Sequence, residues 1–302
     1  MSLAAHNTRS VALVLETVGI ALLLGAAALY GDATGRWPLT LLAIGAQGCW
    51  LHRFYTAAHE AVHGKLISGA PRLNDALGQA LLLPLVTPLR VYRKIHRFHH
   101  GFNRRDEHTS ALDVFVVAHP HRALVRAGCY ALWYAAVFLG GWFLHSLASV
   151  VLFLALPLRV ARRVSPAFHG WTRADQLRSI GSFAAGLALH LGVAAWLGAR
   201  GWALVLGWPF LVFAWVYSAL MYIYHYDMPL GPDQHGAARS LRRNALFSWW
   251  LLNFNEHATH HAHPTLAWYA LPERRRPPGP GPTTILGAVL HQLRGPTIRG
   301  RA

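Results

Sequence analysis

Two segments that carry three histidines at the same offsets are the most chemically distinctive feature of the sequence: HRFHH at 96–100 and HATHH at 257–261. The chain has 20 histidines in 302 residues, and at that frequency H-x-x-H-H is expected about 0.09 times by chance. H-x-x-x-H is expected about 1.3 times, so HEAVH at 59–63 is informative only together with the other two histidine segments. The repeated pattern therefore indicates one shared site.

On a helix, positions i, i+3 and i+4 lie on one face. The three segments would then present eight imidazoles: His59, His63, His96, His99, His100, His257, His260 and His261. Eight exceed the four ligands that one zinc ion usually takes, and imidazole also suits iron, copper and nickel. The pattern favours paired non-haem iron that handles dioxygen over histidines that are merely solvated or buried.

The elements that position these residues are membrane helices. The chain is 54% hydrophobic and 13% charged, with 28 Lys+Arg against 12 Asp+Glu. Such a basic balance fits a nucleic-acid binder or a membrane protein. Apolar runs long enough to span lipid favour the membrane, and no nucleic-acid partner is expected. The predicted spans are 11–31, 38–58, 181–199 and 202–224.

Two further apolar stretches are not predicted to cross the membrane. Residues 129–158 fit a helix along the interface, and 73–92, broken by Pro84 and Pro88, reads as a shallow or re-entrant segment. With four crossings, the histidine segments share one face with 26 of the 28 Lys and Arg residues. The positive-inside rule then places the histidines and both termini in the cytoplasm, with the chain in the cell inner membrane.

HEAVH, HRFHH and HATHH resemble the three histidine boxes of the membrane fatty acid desaturase superfamily, and the residues after the third box, AHPTLAWYALP, extend the likeness. The resemblance implies an all-α integral membrane protein with four transmembrane helices, interfacial or re-entrant helices and a cytoplasmic histidine-rich cap. It also implies two iron ions, with O2 as co-substrate, and carries the eight box histidines over as ligands. Some members have a ninth ligand after the fourth span, where this chain has His225.

Residues near the third box have two possible roles. Asn253, Asn255 and Glu256 could hold imidazole tautomers, or an Asn among them could cap a helix. In the spans, Glu16 is expected to reach the headgroups and His190 to bond to a neighbouring helix. Residues 1–271 are predicted to form a single membrane domain, followed by a Pro/Arg-rich tail at 272–302.

The leading functional interpretation is a desaturase that acts on an acyl chain or a similar amphipathic substrate. A hydroxylase or ketolase of the same superfamily, for instance one that acts on carotenoids, is a second interpretation, and a membrane metal-binding or transport protein is a third. The chain has no dinucleotide, haem or iron–sulfur motif. Electrons are therefore expected from a separate acidic donor such as a ferredoxin, attracted by the basic face.

Overall fold

The computed structural model describes residues 2–104, 116–117, 121–231 and 237–298, and within these ranges the chain is almost entirely helical. The α-helices are α1 Leu3–Ala33, α2 Trp37–Val62, α3 Pro71–Leu82, α4 Leu89–Phe102, α5 Ala123–Phe138, α6 Gly141–Ala155, α7 Leu158–Val164, α8 Arg173–Trp202, α9 Trp208–Met221, α10 Ala245–Trp250, α11 His257–Ala262 and α12 Ile285–His291. Two short strands, β1 Val116–Val117 and β2 Thr297–Ile298, pair in parallel.

The chain divides into two compact units. Unit 1 consists of Met1–Ile95 and Ser146–Val216, and unit 2 of His96–His145 and Tyr217–Ala302. Unit 1 therefore contains the predicted spans up to residue 216, and unit 2 contains the second and third histidine segments. The single domain at 1–271 stays a prediction.

Within the described ranges, two helical segments are long and apolar enough to cross a membrane: Leu3–Ala33 and Arg173–Met221. The pair Ala123–Phe138 and Gly141–Ala155 would be a third if it crossed as one broken span. Many large apolar side chains on these segments are exposed, as Leu22, Leu23 and Trp196 are. An apolar surface of this kind suits a lipid surrounding.

The segment Arg173–Met221 folds back on itself at Gly198, which leaves helical geometry with φ 73° and ψ 169°. The rings of His190 and Phe210 lie 6.0 Å apart, whereas 20 residues of straight helix would separate them by about 30 Å. The segment is therefore a helical hairpin with two arms, as spans three and four require. The Arg200 guanidinium near its turn pairs with Asp32 at 2.7 Å, so the turn lies beside the end of α1.

Glu16, which was expected to reach the headgroups, forms an ion pair with Arg53 at 2.7 Å. Arg53 is only 2% exposed, on α2, and Glu16 is 37% exposed, on α1. A buried guanidinium requires an anionic partner. The pair therefore joins α1 to α2.

The predicted break in 73–92 is confirmed. Helix α3 ends at Leu82, Leu83–Leu85 form a 3-10 turn, and Val86 takes a left-handed conformation with φ 50°. The carbonyl oxygen that the break exposes at Pro84 lies 3.0 Å from His190 Nε2, while Trp202 Nε1 donates to His190 Nδ1. His190 thus has the structural role predicted for it, and the broken backbone is satisfied inside the protein.

The predicted interfacial helix at 129–158 is two helices instead of one. Helices α5 and α6 meet at an angle of 87°, and Gly140 between them has φ 84°, which favours glycine. Aromatic residues of α5 and of the chain after α9 form the core of unit 2, including Trp133 and Tyr222.

The C-terminal tail is part of unit 2 up to the end of the described residues. Trp133 Nε1 donates to the carbonyl oxygen of Gln292 at 2.8 Å, and the Tyr226 hydroxyl donates to that of Gly295 at 2.7 Å. Helix α12 and strand β2 also belong to this segment. The part of the predicted tail at 299–302 lies outside the described residues.

Candidate metal centre

The first histidine segment ends a long helix in unit 1. His59 lies in the last turn of α2 and His63 is its C-terminal cap, with ring centroids 4.7 Å apart. The spacing of four residues therefore places both rings on one face, as predicted. His59 is buried and His63 half-buried.

Unit 2 contains a cluster of three imidazoles, here called the three-histidine cluster: His96, His100 and His260. His100 Nε2 lies 3.0 Å from His96 Nε2 and 3.0 Å from His260 Nε2. His96 and His100 are one turn apart on α4, and His260 comes from α11. The rings converge on one point although α4 and α11 are far apart in sequence.

A second group in unit 2, the four-histidine cluster, consists of His99, His225, His257 and His261. The ligand nitrogens of these residues all lie within 4.8 Å of one another. The shortest Nε2–Nε2 distances are 2.8 Å for His225 with His257, and 3.1 Å both for His261 with His257 and for His261 with His99. The structure therefore brings together His225, the predicted ninth ligand, and three box histidines.

The two clusters adjoin, because the rings of His100 and His261 lie 4.3 Å apart. Burial, reinforced by the neighbouring imidazoles, lowers the pKa of His261 well below its usual range. The ring is therefore neutral at pH 7 and has a lone pair to offer a metal ion. Converging neutral imidazoles cannot all satisfy one another by hydrogen bonds, since each has a single N–H. A bound cation would use the remaining lone pairs.

His225 is oriented by two groups behind its ring. The carbonyl oxygen of Ala237 lies 2.9 Å from Nδ1, and the side-chain amide of Asn103 lies 2.5 Å from the same nitrogen. A carbonyl only accepts and an amide nitrogen only donates, so Nδ1 bonds to Ala237 when it carries the proton, and in that tautomer Nε2 presents its lone pair to the cluster. The sequence reasoning missed Asn103. Its position four residues after His99, just past the end of α4, was the available signal.

The residues before the third box hold its loop rather than a helix end. Asn253 is the N-cap of the 3-10 turn at Phe254–Glu256 but makes no capping hydrogen bond through its side chain, so the capping interpretation is wrong for Asn253. The Asn253 amide donates to the carbonyl oxygen of Trp268, and Glu256 accepts from Arg275 Nη1 at 3.2 Å. Burial raises the pKa of Glu256, and the Arg275 charge opposes this effect.

Helix α11 is held from both sides of the third box. The amide of Ala258 donates to Ser240 Oγ, and the amide of Arg276 donates to Thr259 Oγ. Both Thr259 and His257 are buried. These bonds fix a six-residue helix that would not be stable alone, and so they fix the three imidazoles on it.

Comparison with known proteins agrees with this geometry. The family described as "Fatty acid desaturase" matches residues 35–278. The chain is also similar to an "sn-2 acyl-lipid omega-3 desaturase (ferredoxin), chloroplastic" from Arabidopsis thaliana, with 33% identity over 92 residues. That match covers 30% of this chain and 20% of the relative, so the chain spans about a fifth of the relative's length. The family match covers most of the chain and contains all three histidine segments, and the chain belongs to the fatty acid desaturase family.

Proposed function

We propose that this protein is an iron- and oxygen-dependent membrane desaturase, which introduces a C=C bond into an acyl chain or a similar amphipathic substrate. The observation that carries the proposal is the pair of adjoining clusters in unit 2, with seven imidazoles from three places in the chain. Two adjoining sets of nitrogen ligands suit a pair of metal ions. Family membership supports the substrate class.

The proposed ligands are the eight box histidines and His225. The four-histidine cluster has enough nitrogens for one ion. The three-histidine cluster falls short of the four ligands that a closed site takes. We propose that His59 and His63 complete this site, because the first box pairs with the other two in the family motif.

The reaction needs an oxidant, because a C–H bond within an alkyl chain has no acidity for a base to use. Bound iron would supply the oxidising chemistry, in which O2, two electrons and two protons remove two hydrogens from the chain and yield a C=C bond and two water molecules. The protein's residues hold the imidazoles in one orientation and keep the centre dry, since five of the seven histidines in the two clusters are buried.

We further propose that the chain crosses the cell inner membrane four times, through α1, α2 and the two arms of the hairpin that turns at Gly198. The Arg200–Asp32 pair between this turn and the end of α1 supports this topology. The distribution of Lys and Arg supports a cytoplasmic location for the histidine boxes and both termini.

The proposed electron donor is a separate acidic protein such as a ferredoxin. Exposed arginines cluster beside the third box at Arg242, Arg243, Arg274, Arg275 and Arg276. Arg275 Nη2 donates to the carbonyl oxygen of Leu241 and so joins the two segments. We expect donor-supported turnover to fall as ionic strength rises, because salt screens the attraction. Turnover with a small uncharged reductant is the control, and equal salt dependence of the two would contradict the proposal.

Expression in a host followed by mass spectrometry of lipids and small metabolites tests the reaction. Desaturation lowers a substrate's mass by about two units, hydroxylation adds about sixteen and ketone formation about fourteen, as the gain or loss of two hydrogens and one oxygen requires. The proposal predicts the first result. An unchanged profile together with a purified protein that holds no iron would refute it.

A pair of variants ties the reaction to the clusters. His99→Ala should abolish both turnover and iron loading at the four-histidine cluster. His263→Ala is the matched control, because His263 is exposed and lies just after α11, outside both clusters. Retained activity in His99→Ala would contradict the ligand assignment.

A further inference from the structure

Arg93 joins the helix of the second histidine box to the end of the first-box helix. It lies on α4, three residues before His96. Its Nε donates to the carbonyl oxygen of Val62 at 3.1 Å and its Nη2 to that of Ala61 at 2.8 Å. These two carbonyls belong to the stretch of α2 between His59 and His63. One side chain therefore contacts the backbone between the two first-box histidines.

The contact satisfies groups that a helix end leaves open. The last four carbonyls of an α-helix have no partner inside the helix, and the partial negative charge there attracts a cation. Asn74 shares this task, because its Nδ2 donates to the carbonyl oxygen of Ala61 at 3.0 Å and its Oδ1 accepts from the amide of Ile67. The end of α2 is therefore held by side chains of α3 and α4 together.

A carboxylate fixes the direction of the guanidinium. Asp75 accepts from Arg93 Nη2 at 2.6 Å and from Nη1 at 3.0 Å. This pairing uses Nη1 and one hydrogen of Nη2, which leaves Nε and the second hydrogen of Nη2 to donate to the α2 carbonyls. A lysine ammonium cannot reproduce this planar set of bonds, so the geometry requires arginine.

We propose that Arg93 is a positioning residue for the metal that His59 and His63 bind, and that it sets the end of α2 relative to the helix that carries the second box. The inference rests on the proposed function, which makes His59 and His63 ligands. Metal–ligand distances tolerate about 0.2 Å of error. A helix end that shifts by more than this weakens its metal site without unfolding the chain.

The test compares Arg93→Lys with Arg90→Lys in the purified full-length protein. Arg90 is the matched control, because it lies on the same helix and forms an ion pair with Asp175 at 3.0 Å. Iron content, chelator competition and Mössbauer spectra would be measured for both. Arg93→Lys should weaken one of the two iron sites by about 10- to 100-fold and leave the other unchanged, while Arg90→Lys retains both at wild-type affinity.

Each outcome decides a different claim. Equal iron affinities in Arg93→Lys and the wild type would overturn the positioning role while the proposed function stands. Equal weakening of both sites would show a general structural role and would also overturn it. If Arg93→Lys does not fold, Asp75→Asn replaces it and should weaken the same site by a smaller factor. A wild-type protein that binds no metal would overturn the proposed function itself.

Discussion

Replacing Gly78 by alanine tests how closely the first-box helix is packed. Gly78 lies on α3, and a Cβ at this position would be 2.3 Å from the Cβ of Ala61 and 3.3 Å from Leu89 Cδ2. The leucine end can move, but the alanine Cβ is fixed to the α2 backbone. Carbon atoms in contact are about 3.5 Å apart or more, so α2 and α3 must separate by about 1.2 Å.

The expected loss of stability is small, whereas the expected loss of metal is large. Overpacking costs about 1–3 kcal/mol, and replacing a helical glycine by alanine returns about 0.5–1 kcal/mol. The net destabilisation is therefore about 0–2.5 kcal/mol. A displacement of about 1 Å at Ala61, between His59 and His63, is several times the tolerance of a metal–ligand bond. Iron bound through these two histidines should be lost first.

Gly45→Ala is the matched control, because Gly45 lies on α2 and a Cβ there would meet no described heavy atom within 4 Å. It should keep both irons and stabilise the protein by about 0.5–1 kcal/mol. Iron per chain, chelator competition and thermal unfolding in detergent measure the effects. The reasoning is refuted if Gly78→Ala keeps both irons at wild-type affinity and unfolds at the same temperature as Gly45→Ala.

Three further variants test other contacts. Asn103→Leu removes the amide behind His225 and should weaken iron at the four-histidine cluster by about 10- to 100-fold; unchanged chelator competition would count against this. Glu16→Gln leaves Arg53 without its anion, and because Glu16 is 37% exposed we expect a loss of about 1–3 kcal/mol, measured by denaturant unfolding. Wild-type stability would contradict this. The hydrogen bonds from Arg93 lower the pKa of Asp75. The stability that this pair contributes to the folded state is therefore fully present above about pH 4 and is lost as the pH falls through the lowered pKa. The difference in unfolding temperature between wild type and Asp75→Asn should then be constant from about pH 5 to 8, and a difference that varies across this range would argue against it.

Much of the fold follows from local patterns. The position of α1, the break at Pro84 and Pro88, and the helical arms around 181–224 can be read from apolar length and from proline. The bend at Gly140 and the ion pair of Glu16 with Arg53 could not be predicted. Both depend on which other helix packs against the segment, and the residue pattern along one helix does not contain that information.

The sequence alone predicted which histidines lie together in the clusters, because the spacing H-x-x-H-H is rare and places imidazoles on a helix face. How they are shared between the clusters was decided by tertiary structure. The second box contributes its one-turn pair, His96 and His100, to the three-histidine cluster, and His99 to the other. The third box does the reverse, with His260 in the first cluster and its one-turn pair in the second. Adjacent residues on a helix point about 100° apart, so each histidine doublet must diverge. Only the packing of α4 beside α11 decides which imidazoles meet.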